Sequence, residues 1–417
     1  MKNIVHNIQR IRFGMQRHGI NFLELLLRRG WLHGRKIYDE LLLLACPRRL
    51  RYLQELIEQQ YPFIDICFQP MGWKAPLVQR RQHISIQAAQ RGGLALSGSL
   101  MHIDGVRFWE KQAERLYLVN TQNTVLSRFL LHVAQKSGNR CLVRIQSTDF
   151  LTTIPDIKRF HHEGMTILYE YIDPFSPLIS VNIPDWLLQR HSFIIENDWI
   201  YIAVTSRQLW NEIPAGRKRC FLSPNGVDIA HWKREGTVIP EKLIPIVGKG
   251  KPLVGYHGAL AAWLDYDLLK YIAASNKFSI VLIGDCYDGS LKYSRLLDNE
   301  NIYYIGHVIY ADLPRYAHFY DIAIIPFLKN HLTDAVSPIK LFEYMAAGLP
   351  IVTTDIEECK FYKGCDIAYS YNDFLEKLQS SIFKKNDKSY QNLLQVETLE
   401  NSWDARADTI FKTCLTA

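Results

Sequence analysis

From about residue 62 the chain alternates short β-branched or aromatic runs with stretches of helical period, and nothing else in it constrains the fold as tightly. Such alternation specifies parallel strands whose two faces are covered by the intervening helices. In the first half the runs are 63–68 ("FIDICF"), 94–98, 116–120, 141–145, 165–171 ("MTILYEY"), 200–205 and 220–224, with helical patterns at "QRRQHISIQAAQRG" and "PDWLLQRHSFIIENDW". A Gly-, Pro- and Lys-rich stretch over 225–251 reads as a linker. A second series follows at 252–256, 278–284, 301–306, 321–327, 350–354 and 366–370. The expected class is therefore α/β, two Rossmann-like doubly wound domains facing a cleft between the carboxyl ends of their strands, where such sheets bind ligands.

The length of 417 residues suits two domains. Residues 1–60 read as a basic helical extension, 61–235 as the first domain, 236–390 as the second and 391–417 as a helix able to pack back on the first domain. With 48% apolar residues the chain has the makings of folded cores rather than of a disordered segment. Its net charge of +7 is concentrated at the front: residues 1–100 hold 15 Lys/Arg against 6 Asp/Glu, and the remainder 34 against 36. The stretch "NFLELLLRRGWLHGRK" suits either peripheral contact with an anionic membrane or an amphipathic helix packed on its own domain. Nucleic acid is not expected as a partner, because no aromatic-interleaved basic stripe accompanies the charge. The amino end lacks the pattern of a cleaved secretory leader, and the longest aliphatic run is too short to cross a bilayer. The expected location is the cytoplasm, with the inner face of the cell membrane as its peripheral variant. Eight scattered cysteines form no C-x-x-C pair and no zinc spacing, so reduced, buried thiols are expected and no metal site.

The stretch 337–355, "SPIKLFEYMAAGLPIVTTD", concentrates the chemistry. Ser337 suits a helix cap, Pro338 the first helical position and Gly348 the carboxyl cap, giving a helix over 338–347. Its opening residues Ser337, Pro338 and Ile339 place backbone N–H groups where a phosphate binds well, and Lys340 adds a full charge in that turn. Glu343, one turn on, can accept both hydroxyls of a ribose. The pair can thus hold a nucleoside diphosphate, or be an ordinary ion pair at i,i+3 spacing. Gly258, just after a strand, would let a phosphate approach the backbone. Arg80 and Arg81, in the first turn of a helix whose dipole repels them, suit an acceptor diphosphate such as that of a lipid-linked sugar, or an exposed pair. Asp265 and Asp267 form D-x-D, which either holds a divalent cation through phosphates or caps the helix beginning there.

The stretch 337–355, with "SPNGVD" at 223–228, "VGYHGALAAWLDYDLL" at 254–269 and "YADLPRYAHFYDIAIIPF" at 310–327, resembles the GT-B glycosyltransferases, in particular the bacterial polysaccharide branch with teichuronic-acid-type transferases. The likeness covers about 220–380; in the first domain it rests on "QRRQHIS" and "ILYEYID". It implies metal-independent sugar transfer, with no cofactor, from a nucleotide-sugar donor held mainly by the second domain to a glycan or lipid-linked saccharide acceptor. It also implies that His307 and Val308 meet the base through the main chain. Retaining families of this fold carry a glutamate eight positions before the ribose glutamate, where this chain has Ala335 beside Asp334. The chain is also similar to the xanthan-type glucuronosyltransferase, an inverting enzyme, and that likeness implies that Asp173, in "YEYID", is the general base. Read alone, Asp173 is equally a turn residue before Pro174.

The function expected is thus glycosyl transfer from a nucleotide-diphosphate sugar, with a UDP-sugar as the expected donor. A nucleotide-sugar 2-epimerase of the same fold and a non-catalytic glycosyltransferase-like binding or scaffold subunit are the alternatives, with a metal-dependent GT-A enzyme behind them.

Overall fold

The computed structural model describes residues 34, 37–69, 72–74, 78–176, 183–233 and 238–416. The basic stretch 21–36 lies, Gly34 excepted, outside the described residues.

The first sheet has eight strands: β1 (Ile64–Cys67), β2 (Leu94–Ser99), β3 (Trp109–Ala113), β4 (Leu116–Asn120), β5 (Cys141–Gln146), β6 (Thr166–Tyr171), β7 (Tyr201–Val204) and β8 (Cys220–Leu222). Their spatial order is β3-β4-β2-β1-β5-β6-β7-β8, and every pairing is parallel except that of β3 with β4. The antiparallel β3, of sequence WEKQA, is the strand the apolar pattern does not reveal, because it is a largely exposed edge. The second sheet is wholly parallel, with β9 (Leu253–His257), β10 (Ser279–Ile283), β11 (Ile302–Gly306), β12 (Ile322–Ile325), β13 (Ile351–Thr354) and β14 (Asp366–Ala368) in the order β11-β10-β9-β12-β13-β14. Strand order reverses between β1 and β5 in one sheet and between β9 and β12 in the other. Those reversals open a crevice at the carboxyl ends of the strands.

Period-two alternation divides each central strand between two packed layers. In the first sheet Val143, Ile145, Ile167 and Ile202 enter one cluster, while Leu142, Leu168 and Ala203 enter another. The second cluster is completed by the carboxyl-terminal helix Trp403–Leu415, which contributes Trp403, Ala407, Ile410, Phe411 and Cys414 and lies beside the Arg80–Gln90 helix. Phe411 stacks on Phe63 with ring centroids 4.7 Å apart.

The domains meet through a short set of directed contacts. Ser206 Oγ donates to the Ala335 carbonyl at 2.7 Å, and Arg207 binds the Glu358 carboxylate through its backbone N–H (3.0 Å) and its guanidinium (3.2 Å). Asn225 donates its backbone N–H to Ser337 Oγ (3.1 Å) and its side-chain amide to the Ser337 carbonyl (2.8 Å).

All eight cysteines are free thiols. Among the described residues no group of three or more His, Cys, Asp or Glu side chains is placed to hold a metal ion, and no helix is long and apolar enough to cross a membrane.

Candidate active site

The second sheet ends its first three strands in glycines with left-handed backbone: Gly258 (φ 140°), Gly284 (φ 137°) and Gly306 (φ 85°). Gly258 N–H donates to the Ile283 carbonyl (2.8 Å) and Gly284 N–H to the Gly306 carbonyl (2.9 Å), so adjoining strand ends are tied together. A β-carbon on Gly258 would stand 2.6 Å from Lys340 Nζ, and one on Gly284 would collide with the Gly258 carbonyl. At Gly284 only hydrogen fits, and at Gly258 a side chain would need both a strained backbone and a shifted lysine tip.

The lysine comes from the helix Ile339–Ala346. That helix opens with Pro338 at its N-cap (φ −74°, ψ 112°) and no side-chain cap. Sequence had suggested Ser337 as the cap and Pro338 inside the helix; Asn225 instead engages Ser337 through both its hydroxyl and its carbonyl and holds it outside. The expected carboxyl-terminal device is present, with Gly348 at φ 69° after Ala347. Lys340 Nζ has no hydrogen-bond or ion-pair partner among the described residues and lies 5.7 Å from the Tyr256 ring centroid. Burial lowers its pKa, an effect the nearby Glu343 carboxylate opposes. This is a partly covered cation set beside a bare glycine backbone, which is what an anion requires.

Glu343 is 7% exposed, and its Oε2 lies 2.9 Å from His257 Nε2. His257 ends β9, stacks on Trp232 (5.0 Å, 16° between planes) and meets Tyr344 edge-on (4.8 Å, 77°). Its backbone N–H donates to Tyr344 Oη at 3.1 Å. Sequence reasoning missed His257 and Gly284. A histidine before a glycine at a strand end carries no signal until the fold brings Glu343 to it.

Residues 251–374 match the family profile described as Glycosyl transferases group 1. The teichuronic acid biosynthesis glycosyltransferase TuaH of Bacillus subtilis (strain 168) is 24% identical over 234 residues, which are 54% of this chain and 57% of that protein. The chain therefore spans little more than half the length of this curated relative. Among solved structures, a sucrose-phosphate synthase from Thermosynechococcus elongatus superposes with a TM-score of 0.62 at 12% identity, covering 84% of this chain and 98% of that one. HepE from Anabaena, in complex with UDP and glucose, gives 0.59 at 13% identity, covering 85% and 100%. This is a GT-B fold with a group 1 glycosyl transferase domain. The glycine corner, Lys340 and the His257–Glu343 pair all fall within that domain.

At the far strand end of the group 1 domain, His307 Nδ1 lies 3.1 Å from Asp285 Oδ2, with both side chains exposed, and Val308 follows half-buried. The D-x-D pair caps its helix: Asp265 accepts from Leu268 N–H (2.9 Å) and from Tyr371 Oη (2.9 and 3.0 Å), while Asp267 pairs with Lys270 (3.0 Å). Ala335, eight residues before Glu343, is fully buried against the first-domain core. The neighbouring Asp334 accepts from Glu357 N–H at 3.2 Å.

On the first domain, Asp173 follows the end of β6, and burial raises its carboxyl to about 6. The arginines expected to meet an acceptor phosphate are placed otherwise. Arg80 and Arg81 are 3% and 0% exposed. Arg80 bonds Glu170 Oε1 (2.7 Å), the carbonyls of Ser223 and Pro224 (3.0 Å each) and Ser223 Oγ (2.8 Å), and Arg81 donates to the carbonyls of Gly98 (2.5 Å) and Gly72 (3.3 Å). Their charges are committed to protein oxygens rather than held out for a ligand. Arg80 belongs to a buried chain of charges: Glu170 Oε2 meets Arg144 (3.2 Å), whose Nε and Nη2 grip Asp65 at 2.6 and 2.9 Å. Burial works to raise both carboxyls. Two guanidiniums hold Glu170 below its usual range, whereas Asp65, with one, stays raised.

Proposed function

We propose that this chain transfers a sugar from a nucleotide-diphosphate sugar, a UDP-sugar in the first instance, to a glycan or lipid-linked saccharide acceptor, without a metal ion. One observation carries the reading: Lys340 lies against the bare backbone of Gly258, without an ionic partner among the described residues, at the strand-order reversal of a group 1 glycosyl transferase domain. The diphosphate sits at this corner, with Lys340 and the uncapped amino end of the Ile339–Ala346 helix supporting the charge that develops as the sugar departs. Glu343 takes the ribose, and the backbone at His307 and Val308 takes the base. The fold shared with HepE, solved with UDP and glucose, supports the choice of donor.

Asp173 is the general base that accepts the acceptor's hydroxyl proton; a carboxyl held at about 6 is ionised at neutral pH and more basic than an exposed one. The buried Ala335 leaves no carboxylate at the position from which retaining families contact the donor sugar, which favours direct, inverting displacement. The cytoplasm, with peripheral contact between the basic front end and anionic membrane, completes the reading.

The test is binding followed by turnover. Thermal shifts against UDP, GDP, dTDP and ADP identify the nucleotide, since a ligand of the folded state raises Tm by mass action. Release of that nucleotide from its sugar conjugate, with and without a chelator, then measures transfer. No shift with any of the four, or loss of turnover in chelator, overturns the reading.

A further inference from the structure

We infer that His257 is a positioning residue that aims the Glu343 carboxylate at the donor ribose and so makes the site select ribose over deoxyribose. The inference rests on the donor assignment above and extends it to a residue outside that scheme. Four contacts lock the histidine: its ring lies flat on Trp232 and edge-on to Tyr344, its backbone N–H bonds Tyr344 Oη, and Nε2 reaches Glu343 Oε2 at 2.9 Å. The other ring nitrogen, Nδ1, is buried and has no hydrogen-bond partner among the described residues. The tautomer carrying its proton on Nε2 is the one that buries no unsatisfied N–H, so the histidine donates and Glu343 accepts. A carboxylate offers about four acceptor directions, and one donor from below fixes its plane while leaving Oε1 for a vicinal diol. The Glu343 carboxylate has no other hydrogen-bond partner among the described residues, so His257 is the one donor that orients it there.

The experiment titrates the full chain by calorimetry with UDP, GDP and ADP and with their 2′,3′-dideoxy forms. For the best-binding ribonucleotide, hydrogen bonds to a charged group imply a preference for ribose on the order of 10- to 100-fold. His257→Phe keeps a ring on Trp232 and removes the donor. His257→Met and His257→Gln match each other in length, and only the glutamine donates. We expect Phe and Met to reduce the preference to roughly 3-fold or less with dideoxy affinity almost unchanged, and Gln to recover most of it. A merely structural role would instead lower Tm and weaken both nucleotide forms alike, and that result overturns the inference, as does an unchanged preference in Phe or Met. Glu343→Gln separates the two levels of argument. If it retains the full ribose preference, or if no nucleotide binds the wild type, the donor assignment falls and the inference with it. If it loses the preference while the His257 variants keep theirs, the inference alone falls.

Discussion

Lys340 occupies the space that a side chain on residue 258 would need: a β-carbon built there stands 2.6 Å from the lysine Nζ. The two positions are 82 residues apart in sequence and form one corner of the fold. Gly258→Ala should therefore act on the lysine as well as on its own strained backbone, at φ 140°. The expected outcome is at least a ~10-fold loss of nucleotide affinity by calorimetry, with roughly 1–2 kcal/mol of stability lost in urea melts. Wild-type affinity in this variant would place the phosphate elsewhere.

Lys340→Met removes the charge and keeps an unbranched side chain of similar length beside Tyr256. Transition-state support from one charged donor is worth on the order of 10²- to 10³-fold, so kcat should fall by that order. Binding of the free nucleotide should weaken less than turnover does. Because burial lowers the lysine's pKa, replacing it should not destabilise the fold, and a Tm equal to or above wild type is the accompanying expectation.

Asp173 sets a pH dependence in two directions. Its folded-state carboxyl is raised to about 6 from 3.8, so as the proposed base it is protonated and idle below that pH. The kcat/KM profile should rise through about 6, and Asp173→Asn should abolish transfer while sparing nucleotide binding. For stability the sign is opposite: the folded state holds this proton more tightly than the unfolded one, so stability falls as pH rises from about 4 to about 6. Asp173→Asn should therefore melt above wild type at pH 7, with the gap closing near pH 4. A gap that widens on acidification would show the carboxylate to be stabilising.

The buried chain Asp65–Arg144–Glu170–Arg80 predicts a severe loss from a single deletion. Arg144→Met leaves two carboxylates at 0% exposure with one guanidinium between them, and about 3–5 kcal/mol should be lost in equilibrium unfolding. Replacement of a surface pair such as Lys270 and Asp267 should cost under about 1 kcal/mol.

The central strands were legible because each is a short run dominated by aliphatic, β-branched or aromatic residues, and their observed bounds differ from the runs read in the sequence by a residue or two. The edge strand Trp109–Ala113 was not, since a charged, solvent-facing strand carries no apolar period. Lys340 and Glu343 stood out by spacing within one helix. Gly258 stood out as well, by its place after a strand, but not its contact with Lys340, and His257 did not stand out at all: both reach the helix only through the stacking of parallel strands. Arg80 and Arg81 misled for a related reason, because a sequence shows two cations in a first turn without showing Glu170 or the Ser223 and Gly98 carbonyls that meet them.

The return of the Trp403–Leu415 helix to the first sheet has a consequence for biogenesis. The apolar face laid down by β5 and β6, which the Arg80–Gln90 helix covers in part, stays incompletely covered until residues 403–415 leave the ribosome, whereas the second sheet is complete at Ala368. The lobe made later can thus consolidate earlier, and the earlier lobe waits for a clasp supplied from beyond the whole second sheet.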